Sequence, residues 1–259
     1  NKLLARFLYQ SMKKYDLRLC DIQAGGLHNA IPREAAAVCA VPMKDKESVR
    51  VDWNIFAADV EEEYSVTEPN VRFHLESTEA CGQVVDAATA CRLITALQAV
   101  HNGVFAMCQD IDLVETSSNL ASVRMQPDNR IVVVTSQRSS IMSARHNMSR
   151  TVQAAFELAG AEVTVGDGYP GWKMNPKSEI LRIAVDTYKE LFGKEPCVLG
   201  IHAGLECGLF SEKYPGMDMI SFGPTLRGVH SPDERLLIPT VQTVWDHLLA
   251  ILKNIPVKA

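Results

Sequence analysis

No stretch of this chain approaches the roughly 20 consecutive apolar residues of a membrane span, because lysine, aspartate or histidine interrupts every candidate run. A basic excess is missing too. Twenty-six Lys and Arg against 31 Asp and Glu leave a net charge of −5 and a pI of about 5.8. That balance removes the electrostatic case for a nucleic acid or an anionic membrane as partner. The cysteines at positions 20, 39, 81, 91, 108, 197 and 207 include no C-x-x-C pair and leave one over in any pairing. Scattered thiols of this kind indicate a reducing, cytoplasmic compartment and predict that most are buried as small apolar side chains. Neither a secretory signal nor an initiator Met is present, so the chain is expected to be a fragment of a cytoplasmic protein.

What is present is ordinary globular composition, with 47% hydrophobic and 22% charged residues over 259 positions, enough for one large or two modest domains. Leu3, Leu4, Phe7, Leu8 and Met12 share one face of a helix predicted over 2–15. Strands follow at 17–23 and 35–41, separated by Gly25 and Gly26. The acidic run 59–63 reads as a solvated helix and the alternation at 71–75 as an edge or half-buried strand. A helix over 84–100 stops at Asn102 and Gly103, and strands at 120–125 and 131–134 flank a turn at 127–129. A helix at 141–158 and a short strand at 161–165 close this part. Two rounds of strands and helices suit α+β architecture with helices on an antiparallel sheet, doubled. The turn-rich stretch 166–171 is the best boundary, giving domains 1–168 and 169–259. Beyond it the expected order is helix 176–193, strand 197–202, helix 205–212, strand 218–222 and helix 240–253, α/β in character.

Four positions stand out chemically. His230 directly precedes Ser231, Pro232, Asp233 and Glu234, a capping box that would start a helix and aim the ring. It is either a metal ligand or a structural histidine of a capped turn. Arg138 ends a strand before Ser139 and Ser140, where a planar guanidinium can grip a carboxylate bidentately or simply stay solvated. Asn29 follows the glycine pair and offers both donor and acceptor to a ligand, or an Asx-turn to its own loop. Gly204 sits where a strand meets a helix, so its backbone can bind an anion or carbonyl, or form a plain tight turn. His202 and Glu206, four apart, read as a structural pair, and Asp233 and Glu234 as first-turn acids opposing a helix dipole.

Residues 201–208 (Ile-His-Ala-Gly-Leu-Glu-Cys-Gly), 221–225 (Ser-Phe-Gly-Pro-Thr) and 228–234 (Gly-Val-His-Ser-Pro-Asp-Glu) resemble the C-terminal end of the M20 family of dinuclear zinc peptidases. Blocks at 1–8, 25–34, 116–121, 138–140 and 169–172 resemble its aminoacyl-histidine (Xaa-His) dipeptidase branch in the same order. This resemblance implies a lid domain over 1–168 lacking its first strand, then the second half of a catalytic domain. It implies hydrolysis of dipeptides, preferentially Xaa-His, by water activated between two Zn2+ ions. Asn29, Arg138 and Gly204 would bind substrate, with Arg138 on its C-terminal carboxylate, and His230 would be a zinc ligand. The family's His-x-Asp strand, paired glutamates and Gly-Gly-His-Ser-Gly stretch are absent from the sequence. The general base is therefore expected upstream and the chain alone is expected to be inactive. A homodimer is allowed. Two other readings remain open: an M20-type aminoacylase or other amidohydrolase, and a non-catalytic lid or oligomerisation module.

Overall fold

The apolar period at the start of the chain forms helix α1 (Lys2–Lys14), which turns Ala5, Phe7 and Leu8 into a core and packs Leu3, Leu4 and Met12 at its margin. In the computed structural model, residues 1–168, 170–175, 177–200, 202, 206–229 and 233–256 are described. They fall into two units: Asn1–Cys108, Val114–Arg138 and Ser143–Gly166 make the first, and Gln109–Leu113, Ser139–Met142 and Asp167–Ala259 the second. The content is α+β, with an antiparallel sheet and seven α-helices among the described residues.

In the first unit, β1 (Arg18–Gly25) and β2 (Ala35–Ala40) run antiparallel from Arg18 opposite Ala40 to Ala24 opposite Ala35, with a register shift between Leu19 and Asp21. A 3-10 turn (Met43–Asp45) leads into α2 (Lys46–Glu63). Helix α3 (Ala87–Ala99) begins at Asp86, whose carboxylate accepts from the Thr89 N–H at 3.0 Å. Strands β3 (Gly103–Met107), β4 (Val114–Met125) and β5 (Ile131–Ser139) and helix α4 (Met142–Leu158) follow. The sheet order is β2-β1-β4-β3, and β5 pairs with β4 as well. Strand β4 is thus the hub: 114–118 pair with β3, and Arg124, Val123 and Ser122 pair with Gln23, Ala24 and Gly25 of β1.

Burial explains why the hub holds. Leu19, Ile22, Leu120 and Val123 are buried against Leu8, Ile94 and Leu97 of the helices, each worth about 1.5–3 kcal/mol over an exposed position. Phe7 meets Trp53 edge-on at 4.8 Å, and Phe73 meets Phe56 in the same manner at 5.9 Å, so one aromatic cluster locks α1 to α2 and to the segment after it. The Lys2 ammonium donates to the carbonyls of Leu97, Gln98 and Val100 at 2.7–2.9 Å, closing the C-terminal end of α3.

The second unit contains α5 (Glu179–Phe192), α6 (Glu206–Lys213), the two-residue strands β6 (Leu226–Arg227) and β7 (Arg235–Leu236), and α7 (Pro239–Asn254). Ser178 caps α5 by accepting from the Leu181 N–H at 3.0 Å, and Gly193 ends it in the left-handed conformation. Helices α5 and α7 pack through Ile183, Ala184 and Ile251. His247 is buried there, with Nε2 2.8 Å from the Ala184 carbonyl and its ring against Tyr188 and Phe222.

Several expectations are corrected. No strand forms at 71–75, where Phe73 is drawn into the aromatic cluster instead of a sheet. The described residues of 161–165, 197–202 and 218–222 form no strand either. Strand β3, by contrast, was not expected. The capping box does not open a helix: Asp233 lies in a turn and Arg235 begins β7, while Ser231 and Pro232 lie outside the described residues. Cysteine burial is lower than expected, because Cys91 and Cys197 are exposed and Cys39, Cys108 and Cys207 are only half-buried; Cys20 is joined to Cys81 by a disulfide, where free thiols were expected.

Candidate functional site

Residues 26–34 connect β1 to β2 and carry Asn29 at an exposed turn. The loop leaves the sheet at Gly25, whose φ of +70° is open to glycine but costly for other residues. A Cβ there would collide with the Ala121 carbonyl on β4. The Gly25 N–H meanwhile donates to the Glu34 carbonyl at 2.9 Å and closes the loop's neck. Side chains of the two neighbouring strands then take hold of its carbonyls. Arg124 donates to Gly25 O at 2.9 Å, Asn119 to Ala30 O at 2.8 Å and Arg138 to Asn29 O at 3.4 Å.

Arg138 and Asn29, 109 residues apart in sequence, are therefore brought together in the first unit. Arg138 is half-buried near the end of β5, and among the described residues no carboxylate pairs with it. A guanidinium has five N–H donors in a fixed fork, and the long contact to Asn29 O engages one of them weakly. It is thus equipped to receive a carboxylate from outside the protein. The Asn29 amide is exposed and bonds to no described residue, so the Asx-turn alternative is not realised.

The other two positions cannot be joined to this pair. Gly204 and His230 lie outside the described residues. His202 is half-buried and Glu206 opens α6. Among the described residues, no group of three or more His, Cys, Asp or Glu side chains could hold a metal ion. Reasoning from sequence missed Asn119 and Arg124. Asn119 falls inside the 116–121 block of the resemblance without a role of its own, and Arg124 was marked only by its polarity on a strand rich in buried residues.

Residues 21–254 match the family described as peptidase family M20/M25/M40. The chain belongs to that family. It is 38% identical over 260 aligned positions to the cytosol non-specific dipeptidase of Escherichia coli (strain K12), with 100% of this chain and 53% of the relative covered. The crystal structure of aminoacylhistidine dipeptidase from Vibrio alginolyticus superposes with a TM-score of 0.87 at 40% identity, again covering 100% of this chain and 53% of that one. This M20-family chain spans about half the length of the relatives it matches. Among its described residues, no helix is long and apolar enough to cross a membrane.

Proposed function

We propose that this M20-family chain supplies the substrate-gripping part of a cytosolic dipeptidase. Its first unit acts as a lid, and its second belongs to the catalytic domain. Arg138 holds the C-terminal carboxylate of a dipeptide through paired N–H donors, Asn29 offers its amide to the peptide group, and Gly204 lines the pocket. The observation that carries this reading is the meeting of Arg138 with the Asn29 loop, with no carboxylate among the described residues occupying the guanidinium. The names of the two relatives agree on dipeptides and differ in breadth, one non-specific and one aminoacylhistidine-directed. Within that range we propose a preference for Xaa-His, as the branch resemblance implies.

The family implies zinc. His230 is the ligand we assign to it, and the described residues by themselves do not make a metal centre. We propose that the general base and remaining ligands lie outside these 259 residues. The test is a hydrolysis panel on the intact protein, comparing Xaa-His, other dipeptides and N-acyl amino acids, with zinc content measured in parallel. Dipeptides should be cleaved. Arg138→Ala should raise KM about 10- to 150-fold, the equivalent of roughly 1.5–3 kcal/mol for a charge-assisted contact. Cleavage confined to N-acyl amino acids, or an Arg138→Ala variant indistinguishable from wild type, would overturn the reading.

A further inference from the structure

The loop that carries Asn29 has little to hold it in place. Leu27 and Ile31, its large apolar side chains, are 60% and 83% exposed, so hydrophobic burial does not anchor it. Its own backbone contributes one weak turn bond, from the Ala30 N–H to the Leu27 carbonyl at 3.3 Å. Beyond the Gly25 neck, two side chains grip its carbonyls, Arg138 and Asn119. Arg138 is the weaker at 3.4 Å, and it is also the group proposed to turn toward a substrate carboxylate.

We infer that Asn119 is a positioning residue that holds the Asn29 loop in its substrate-ready arrangement. The Asn119 amide N–H reaches Ala30 O at 2.8 Å across 89 residues of sequence and fixes the carbonyl adjacent to Asn29. Its base is rigid, because the flanking Ser118 and Leu120 are buried. Gln137 of β5 donates to Ser118 Oγ at 3.2 Å, and the Leu120 N–H donates to the Asn102 side chain at 2.8 Å. The loop is thus referenced to the hub strand at a point that stays engaged when Arg138 changes partner. The side chain exerts its effect on substrate through Asn29, not by contact of its own.

This inference rests on the dipeptidase reading, and two measurements on the intact protein separate the two. Asn119→Ala should raise KM for a dipeptide about 2- to 12-fold, the range of one net hydrogen bond, and leave kcat within about twofold. Asn119→Asp presents an acceptor to the Ala30 carbonyl and should raise KM at least as far, whereas Asn119→Gln keeps the donor and should recover part of the loss. Amide hydrogen exchange over 26–34 should accelerate in the Ala and Asp variants, with exchange in α1 and β4 unchanged. Unaltered exchange in the loop overturns the inference, and so does altered exchange with unaltered KM. A parallel fall in kcat and in protection across the whole unit would mean a merely structural role and overturns it too. A wild-type protein that cleaves no dipeptide overturns the dipeptidase reading, and loop exchange then decides the clamp by itself.

Discussion

Adding one methyl group at Gly25 is the sharpest test of how the site loop is built. Gly25 has φ +70°, and an L-residue in that region costs about 1–2 kcal/mol. The new Cβ would also overlap the Ala121 carbonyl and come within 3.0 Å of Asn1 Nδ2. Ala121 is itself buried, between Leu120 and buried Ser122 and Val123, so β4 has little freedom to retreat. Relief must come from β1 or from the loop, at an overpacking cost of about 1–3 kcal/mol. Together these place Gly25→Ala about 2–5 kcal/mol below wild type, a large share of the 5–15 kcal/mol typical of a folded domain. Gly26 is the internal control: a Cβ there meets only the Arg124 guanidinium at 3.8 Å, ordinary contact. Gly26→Ala should stay within about 0.5 kcal/mol. Urea midpoints read by circular dichroism compare the two variants directly. A Gly25→Ala variant as stable as Gly26→Ala would refute both the left-handed turn and the close approach of β1 to β4.

Two more predictions concern ionisable groups. Burial opposes ionisation of Asp218, but bonds from the Ser178 hydroxyl and the N–H groups of Ile180, Glu179 and Met219 outweigh it and hold the carboxyl below its ordinary value. A depressed carboxyl stabilises fully above its unfolded pKa of about 3.9, and that contribution is lost as pH falls through the lower folded value. Acid unfolding of the second unit should therefore steepen below about pH 4, and Asp218→Asn should flatten that limb while costing about 0.3–1 kcal/mol at pH 7. An unchanged acid limb in Asp218→Asn would remove the carboxylate from the α5 N-terminus. Burial pushes the Cys39 thiol up to about 12, whereas Cys91 and Cys197 are exposed. Mass mapping after iodoacetamide at pH 8 should find Cys91 and Cys197 labelled and Cys39 spared; early labelling of Cys39 would contradict the packing of β2.

Local patterns made much of this legible. α1, α3, α4, α5 and α7 follow apolar periods or cap residues such as Asp86 and Ser178, which act within a turn of their own position. Where the sequence misled, a non-local partner decided. Residues 71–75 alternate like a strand, yet Trp53 and Phe56 claim Phe73 and no strand lies alongside. β3 was hidden because its pairing with β4 slips in register on either side of Ala106, and Val104 and Phe105 are both about half exposed. Arg138 and Asn29 could be singled out by motif, but their meeting depends on a pairing of β1 with β4 that no local signal encodes. Asn119 lay in a matched block, but its role was unreadable for a plainer reason: it binds a backbone carbonyl, and every residue has one of those.

The pairing of β1 with β4 also sets when the site can come into being. Its three residue pairs join positions about 100 apart, whereas the β1–β2 and β4–β5 turns close over short spans. Short closures form early and distant ones late, since the chain must surrender more freedom before a distant contact rewards it. The Asn29 loop springs from the last residue of that late seam. A newly made chain with both hairpins formed and the seam still open holds Asn29 and Arg138 on separate pieces. Under the proposed role of Arg138 and Asn29, grip on a carboxylate would then arrive in the same step as completion of the sheet, and half-built molecules would have no means of holding a ligand.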